Sequence, residues 1–130
     1  MYKGQIAPIP NGEDNRRIIE EFNCTEGGFS VGRFFIKNDD KALGNHYHRD
    51  KEETFVILDG SGIVVTQKLL TSGNPLGPVE RTELQPDSVV KIMRYTAHAF
   101  LLKPGSRMIC YSSAAFNLEN QDLIPYIVIP

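Results

Sequence analysis

Turn signals recur at short spacing along the whole chain, and the gaps between them leave room for strands but for no sustained helix. The signals are Gly27-Gly28, Asn38-Asp39-Asp40, Asp59-Gly60, Ser72-Gly73-Asn74-Pro75, Gln85-Pro86-Asp87 and Lys103-Pro104-Gly105. Between them lie runs rich in β-branched and aromatic residues, the composition that suits a pleated, half-buried surface. Strands are expected over Phe29–Lys37, Leu43–His48, Thr54–Leu58, Ile63–Leu70, Val79–Leu84, Ser88–Met93, Ala97–Leu102 and Met108–Ala115. Thr71 to Pro78, with two prolines and two glycines, reads as a loop. Arg16–Phe22 suits either a short helix or a first strand. Many short strands without crossover helices point to an all-β sandwich or barrel.

At 130 residues the expectation is one domain, 1–130, with a core large enough to need no staples. The net charge is −2 and no basic block occurs, which argues against a nucleic-acid footprint. The apolar runs are too short to span a membrane as helices. No apolar stretch of secretory type follows Met1, so the cytoplasm is the expected location. Cys110 lies in the apolar run Met108-Ile109-Cys110-Tyr111 and reads as a buried thiol; a disulfide with Cys24 is not expected. The segment Asp122–Pro130 is unusually apolar and is expected to pair along a sheet or pack on a partner subunit. Together with Val89-Val90 it motivates a homodimer built on sheet edges.

Three histidines are present, His46, His48 and His98. His46 and His48 are two apart on an expected strand, so both rings face one side. Glu53 opens the next expected strand. Three imidazoles and a carboxylate suit one divalent transition metal such as Zn, Fe, Ni or Mn. Glu53, which shares strand parity with Phe55 and Ile57, is the expected carboxylate ligand, and Glu52 the solvated one. Tyr47 should point to the opposite face and pack. Four protein ligands on a six-coordinate ion leave two positions for substrate, water or dioxygen.

The stretch GNHYHRDKEETFVILDGSG, Gly44 to Gly62, resembles the first motif of the cupin superfamily: histidine-x-histidine, a short gap, glutamate, six residues, glycine. LQPDSVVKIMRYTAHAF, Leu84 to Phe100, resembles the second motif, which supplies the last histidine. Here the usual Pro-x-Gly ahead of that histidine is replaced by Met93 and Tyr95, and Leu102 stands where an Asn is common. The resemblance implies a double-sheet jelly-roll barrel with metal bound by His46, His48, Glu53 and His98. It also favours a dimer.

At finer grain the same stretch, with MICYSSAAFNLENQDLIPYI near the end, is similar to the cupin domain of capsular sugar-nucleotide epimerase-reductases. No Gly-rich dinucleotide fingerprint stands in for the reductase half. The resemblance implies proton movement beside a ketone, hence an isomerase or epimerase acting on a small-molecule ligand, with a sugar nucleotide first. With every histidine a ligand, the base must be a carboxylate, Tyr or Lys. Arg94 and Tyr95 are the candidate substrate-binding residues, Arg94 toward a diphosphate and Tyr95 because it lies three residues before His98. An iron-dependent dioxygenase and a non-catalytic small-molecule-binding cupin are the alternative readings.

Overall fold

The turn signals separate strands throughout. The computed structural model describes residues 9–24 and 26–130, and among them there are eleven strands and no helix. In chain order these are β1 (Ile9–Glu13), β2 (Arg17–Cys24), β3 (Phe29–Ile36), β4 (Leu43–Tyr47), β5 (Glu53–Asp59), β6 (Gly62–Leu69), β7 (Pro75–Leu84), β8 (Val89–Ile92), β9 (Thr96–Leu102), β10 (Arg107–Ser112) and β11 (Ile124–Pro125). They form two antiparallel sheets, β1-β2-β3-β10-β5-β8 and β11-β4-β9-β6-β7. This is the two-layer arrangement expected from the pattern, and the jelly roll that the resemblance implies.

Asp59-Gly60 ends β5 and lets β6 fold back toward the second sheet. Gly60 has φ 90° and lies so close to Ser106 that any Cβ would overlap its side chain. The ambiguous stretch at Arg16–Phe22 is strand β2, because pairing with β3 along its whole length rewards extended backbone. The expected loop over Thr71–Pro78 is shorter than anticipated. The chain turns at 71–74 and β7 starts at Pro75, which is tolerated because β7 is an edge strand and needs no donor on its outer side.

The core fills one half of the space between the sheets. Ile36, Phe55, Ile57, Val64, Ile92, Phe100, Leu102 and Met108 are all buried there, and Phe55 and Phe100 stack at 4.7 Å between centroids. Each such side chain contributes about 1.5–3 kcal/mol when fully buried. A second cluster lies on the outer face of the β4/β9/β6 sheet: Tyr47, Leu69 and Ala97, with Tyr95, Ile124, Tyr126 and Val128 packed on it. It explains the apolar tail. Ile124–Pro125 pairs with β4, and Tyr126, Val128 and Ile129 hydrogen-bond to Asn45 by backbone N–H groups at 2.9–3.0 Å. The tail is thus seated on its own chain.

Candidate metal centre

β4 would be regular but for a bulge. Gly44 faces Ala99 of β9 and His46 faces His98, so one residue, Asn45, is extra. Asn45 takes φ 56°, a left-handed conformation that Asn tolerates, and turns its side-chain amide outward to hold the tail. Gly44 has φ 103°, and a Cβ there would meet the His98 carbonyl at 2.7 Å. The glycine therefore allows β4 to lie tight on β9, which sets His46 directly opposite His98. His48, two residues on, falls on the same face.

All three rings point between the sheets. One ligand atom from each of His46, His48 and His98 lies within 4.8 Å of the others, and the ring centroids are 4.7–5.2 Å apart. His48 and His98 are almost wholly buried. Glu53 reaches in from the other sheet. Its Oε1 is 2.7 Å from His48 Nε2 and 3.6 Å from His98 Nε2, and its Oε2 accepts from the Cys110 thiol at 3.5 Å.

The hydrogen bonds behind the rings decide what the front can hold. His48 Nδ1 lies 2.7 Å from the Asp122 carbonyl and His98 Nδ1 lies 3.0 Å from the Thr96 carbonyl. A carbonyl only accepts, so each Nδ1 carries the hydrogen. In a neutral ring that leaves the Nε2 lone pair directed at Glu53, acceptor against acceptor. Only positive charge between them, a shared proton or a metal cation, makes the arrangement favourable. Backbone carbonyls that fix the tautomer in this way are the usual support of metal-binding imidazoles. The donor set therefore fits a divalent metal, held by the three histidines with Glu53 beside them.

Electrostatics agree. Burial, and then the charges of His98 and His48, push His46 down to about 3, so its ring is neutral and available to a metal at neutral pH. Burial likewise lowers His98, outweighing the attraction of Glu53. Burial alone would raise the Glu53 carboxyl, but a proton on His48 Nε2 hydrogen-bonded to it and the charges of His48, Lys51 and His98 outweigh burial and bring the group to about 2. Cys110 is pushed up by burial and by Glu53, so it remains a thiol. Cys24 and Cys110 are both free.

A cavity of about 320 Å³ opens from this cluster between the sheets. Phe34, Phe55, Phe100 and Met108 form its apolar walls, and Arg16, Arg17, Glu21 and Lys51 bring charge to it. Arg94 and Tyr95 are not among its lining residues. Arg94 donates to the Asp50 carbonyl at 3.0 Å and to Glu52 at 2.8 Å, so Glu52 is a half-buried ion-pair partner rather than a solvated charge. Tyr95, with φ 57°, packs on Tyr47 at 6.0 Å between centroids on the far side of the sheet. Tyr47 faces away from the histidines, as alternation requires.

No protein-family model matches the sequence, and no curated protein matches it. Solved structures do. The capsular polysaccharide assembling protein CapF from Staphylococcus aureus superposes with a TM-score of 0.75 at 20% identity, over 93% of this chain and 34% of that one. The fold is that of the cupins. This chain spans only about a third of the CapF chain's length. The nucleoside dehydratase Pac13 matches at a TM-score of 0.67 and 11% identity, over 98% of this chain and 93% of that one; other Pac13 structures, from Streptomyces, hold uridine. Vicilin from the hazelnut Corylus avellana matches at a TM-score of 0.69 and 14% identity, over 81% of this chain and 32% of that one. Among the described residues, no helix is long and apolar enough to cross a membrane.

Proposed function

We propose that this chain is a metal-dependent cupin that isomerises or epimerises a small oxygen-rich metabolite, a sugar nucleotide first, with one divalent ion (zinc, iron, nickel or manganese) held by His46, His48, His98 and Glu53. The observation that carries the reading is the pair of imidazole lone pairs, on His48 and His98, turned by backbone carbonyls toward a buried carboxylate. The likeness to a capsular polysaccharide assembling protein and to a nucleoside dehydratase supports a nucleotide- or sugar-bearing ligand. When bound, the metal supplies a Lewis acid that polarises a carbonyl oxygen.

The chain's own groups do the rest. All three histidines are engaged as ligands, so proton transfer falls to Glu21 or Lys51, which line the cavity. Lys51 stands close enough for its charge to act on His46, Glu53 and His98, and there it stabilises negative charge on a ligand oxygen. The aromatic walls hold the carbon skeleton. The chain assembles as a homodimer along the β8 edge, where Val89 is 65% exposed; a monomeric mass by light scattering at micromolar concentration overturns that part.

Two measurements test the activity. Protein purified without chelators is assayed for metals, and keto-sugar nucleotides are followed by NMR in deuterated water for exchange at the carbon beside the ketone. Metal content together with exchange supports the proposal. No exchange, with oxygen consumption by iron-loaded protein on a small organic substrate, replaces it with the dioxygenase reading.

A further inference from the structure

The cavity has a second pole. β2 turns Arg17, Ile19 and Glu21 inward at alternate positions, and all three line it. One wall thus presents a guanidinium, an apolar side chain and a carboxylate in sequence. Arg16 closes the guanidinium end from the turn before β2, where its Nη1 donates to the carbonyl of Ala42 at 3.2 Å, just ahead of β4. Ala42 and His46 are four residues apart, at most about 13 Å along an extended chain, and the bulge at Asn45 shortens that span.

The guanidinium end is short of negative charge. Asp14 Oδ2 accepts from Arg16 Nε at 3.1 Å, from Arg16 Nη2 at 3.0 Å and from Arg17 Nη1 at 2.9 Å. One carboxylate therefore serves two cations. Arg17 Nε is buried and, among the described residues, has no hydrogen-bond partner. Burial and the neighbouring Arg16 charge lower the Arg17 pKa, the direction expected of a cation without enough counter-charge. A buried charged donor left unsatisfied is costly, and an anion entering the cavity relieves it. Glu21 lies four residues along the strand from Arg17, with its carboxylate over Gly32. It faces the middle of the cavity and gives hydroxyl groups an acceptor.

We propose that Arg16 and Arg17 form an anion-binding subsite at the far end of the metal cavity, and that the ligand is a polyhydroxy carbonyl compound with a phosphate or carboxylate one hexose length from its metal-facing oxygens. This rests on the metal reading above and adds the ligand's second recognition element. The volume agrees: about 320 Å³ corresponds, at ~30 Å³ per water, to roughly ten waters, room inside the cavity for a sugar unit and its anion.

Fructose, fructuronate and fructose 6-phosphate share one ketose and carry at C6 a hydroxyl, a carboxylate and a phosphate. Each is titrated by calorimetry into cobalt-loaded wild-type protein, Arg17→Gln, Arg17→Lys and the His46→Ala, His48→Ala double variant. At least one anionic sugar is expected to bind wild type roughly tenfold tighter than fructose. The gap should fall to about threefold or less in Arg17→Gln and partly return in Arg17→Lys, with cobalt content and thermal midpoint unchanged. Preference for the phosphate alone assigns a phosphate subsite, and an equal preference for both anions a general one. Equal binding of all three sugars, binding of none, or a gap that survives Arg17→Gln overturns the proposal. Where Arg17→Gln fails to fold, Arg16→Gln and the loss of the gap with rising salt carry the same test. The metal reading fails separately: a double histidine variant that binds fructose as wild type does removes the metal from recognition and leaves the anion preference standing.

Discussion

The two faces of β4 put consecutive residues to opposite uses. Inward, His46 and His48 join His98 and Glu53 in a buried polar cluster whose lone pairs oppose one another unless a cation joins them. Outward, Tyr47 packs with Tyr95 and Tyr126 beneath the C-terminal tail, and the Tyr126 hydroxyl donates to Gln67 at 2.9 Å. The outer face is satisfied by the chain itself. The inner one is satisfied only by something brought to it. A site can be carried at a net cost in stability when the other side of the same strand is well packed, and the two faces should respond differently to substitution.

The largest expected separation is in metal content. The His46→Ala, His48→Ala variant should fall from roughly one ion per chain to nearly none, since half the ligands are lost. Metal analysis checks this, and full occupancy in that variant would remove the assignment. Tyr47→Ala should do the reverse, costing about 3–4 kcal/mol in denaturant unfolding while the folded fraction keeps its metal stoichiometry. Equal loss of metal from the folded fraction would show that the two faces are not separable.

Asp122 joins the faces. Its carbonyl accepts from His48 Nδ1, and its carboxylate accepts from the backbone N–H groups of Arg49, Asp50 and Lys51 at 3.0, 2.8 and 3.3 Å. Asp122→Ala frees the turn that carries His48 and should weaken metal affinity by about tenfold, read by chelator competition. An unchanged affinity would mean that β4 alone positions the ring.

The smallest effect is a pH dependence of the metal-free protein. His46 titrates near 3 when folded, against 6.5 for the free side chain, and Glu53 near 2 against 4.5. Both folded values are depressed, so the unfolded chain binds more protons and stability declines as pH falls. The His46 contribution should be intact above about 6.5 and fade toward 3; the Glu53 contribution fades between about 4.5 and 2. Urea unfolding across this range should show the upper part of the decline blunted in His46→Gln. A flat profile from 6.5 to 4.5 would contradict burial of a neutral His46 ring.

Much of this molecule is local information. Turn residues, β-branched runs and two-residue alternation determined strands β3 to β10, the inward direction of His46 and His48, the outward direction of Tyr47 and the burial of Cys110, because each depends on residues adjacent in the chain; β1 was not legible there. The tertiary structure decided what depends on residues far apart. It turned Arg16–Phe22 into a strand by pairing it with β3, and only then did Arg17 and Glu21 share an inward face; read as a possible helix, the same residues show no such alternation. It took Arg94 away to Glu52 and Tyr95 to the outer cluster, since nearness to His98 in sequence says nothing about which side of β9 a loop residue occupies. It also brought Asp122 behind His48 across a sequence separation of 74. Alternation along a strand is a property of the backbone itself, whereas the partner across a sheet or a cavity is chosen by packing the whole chain at once.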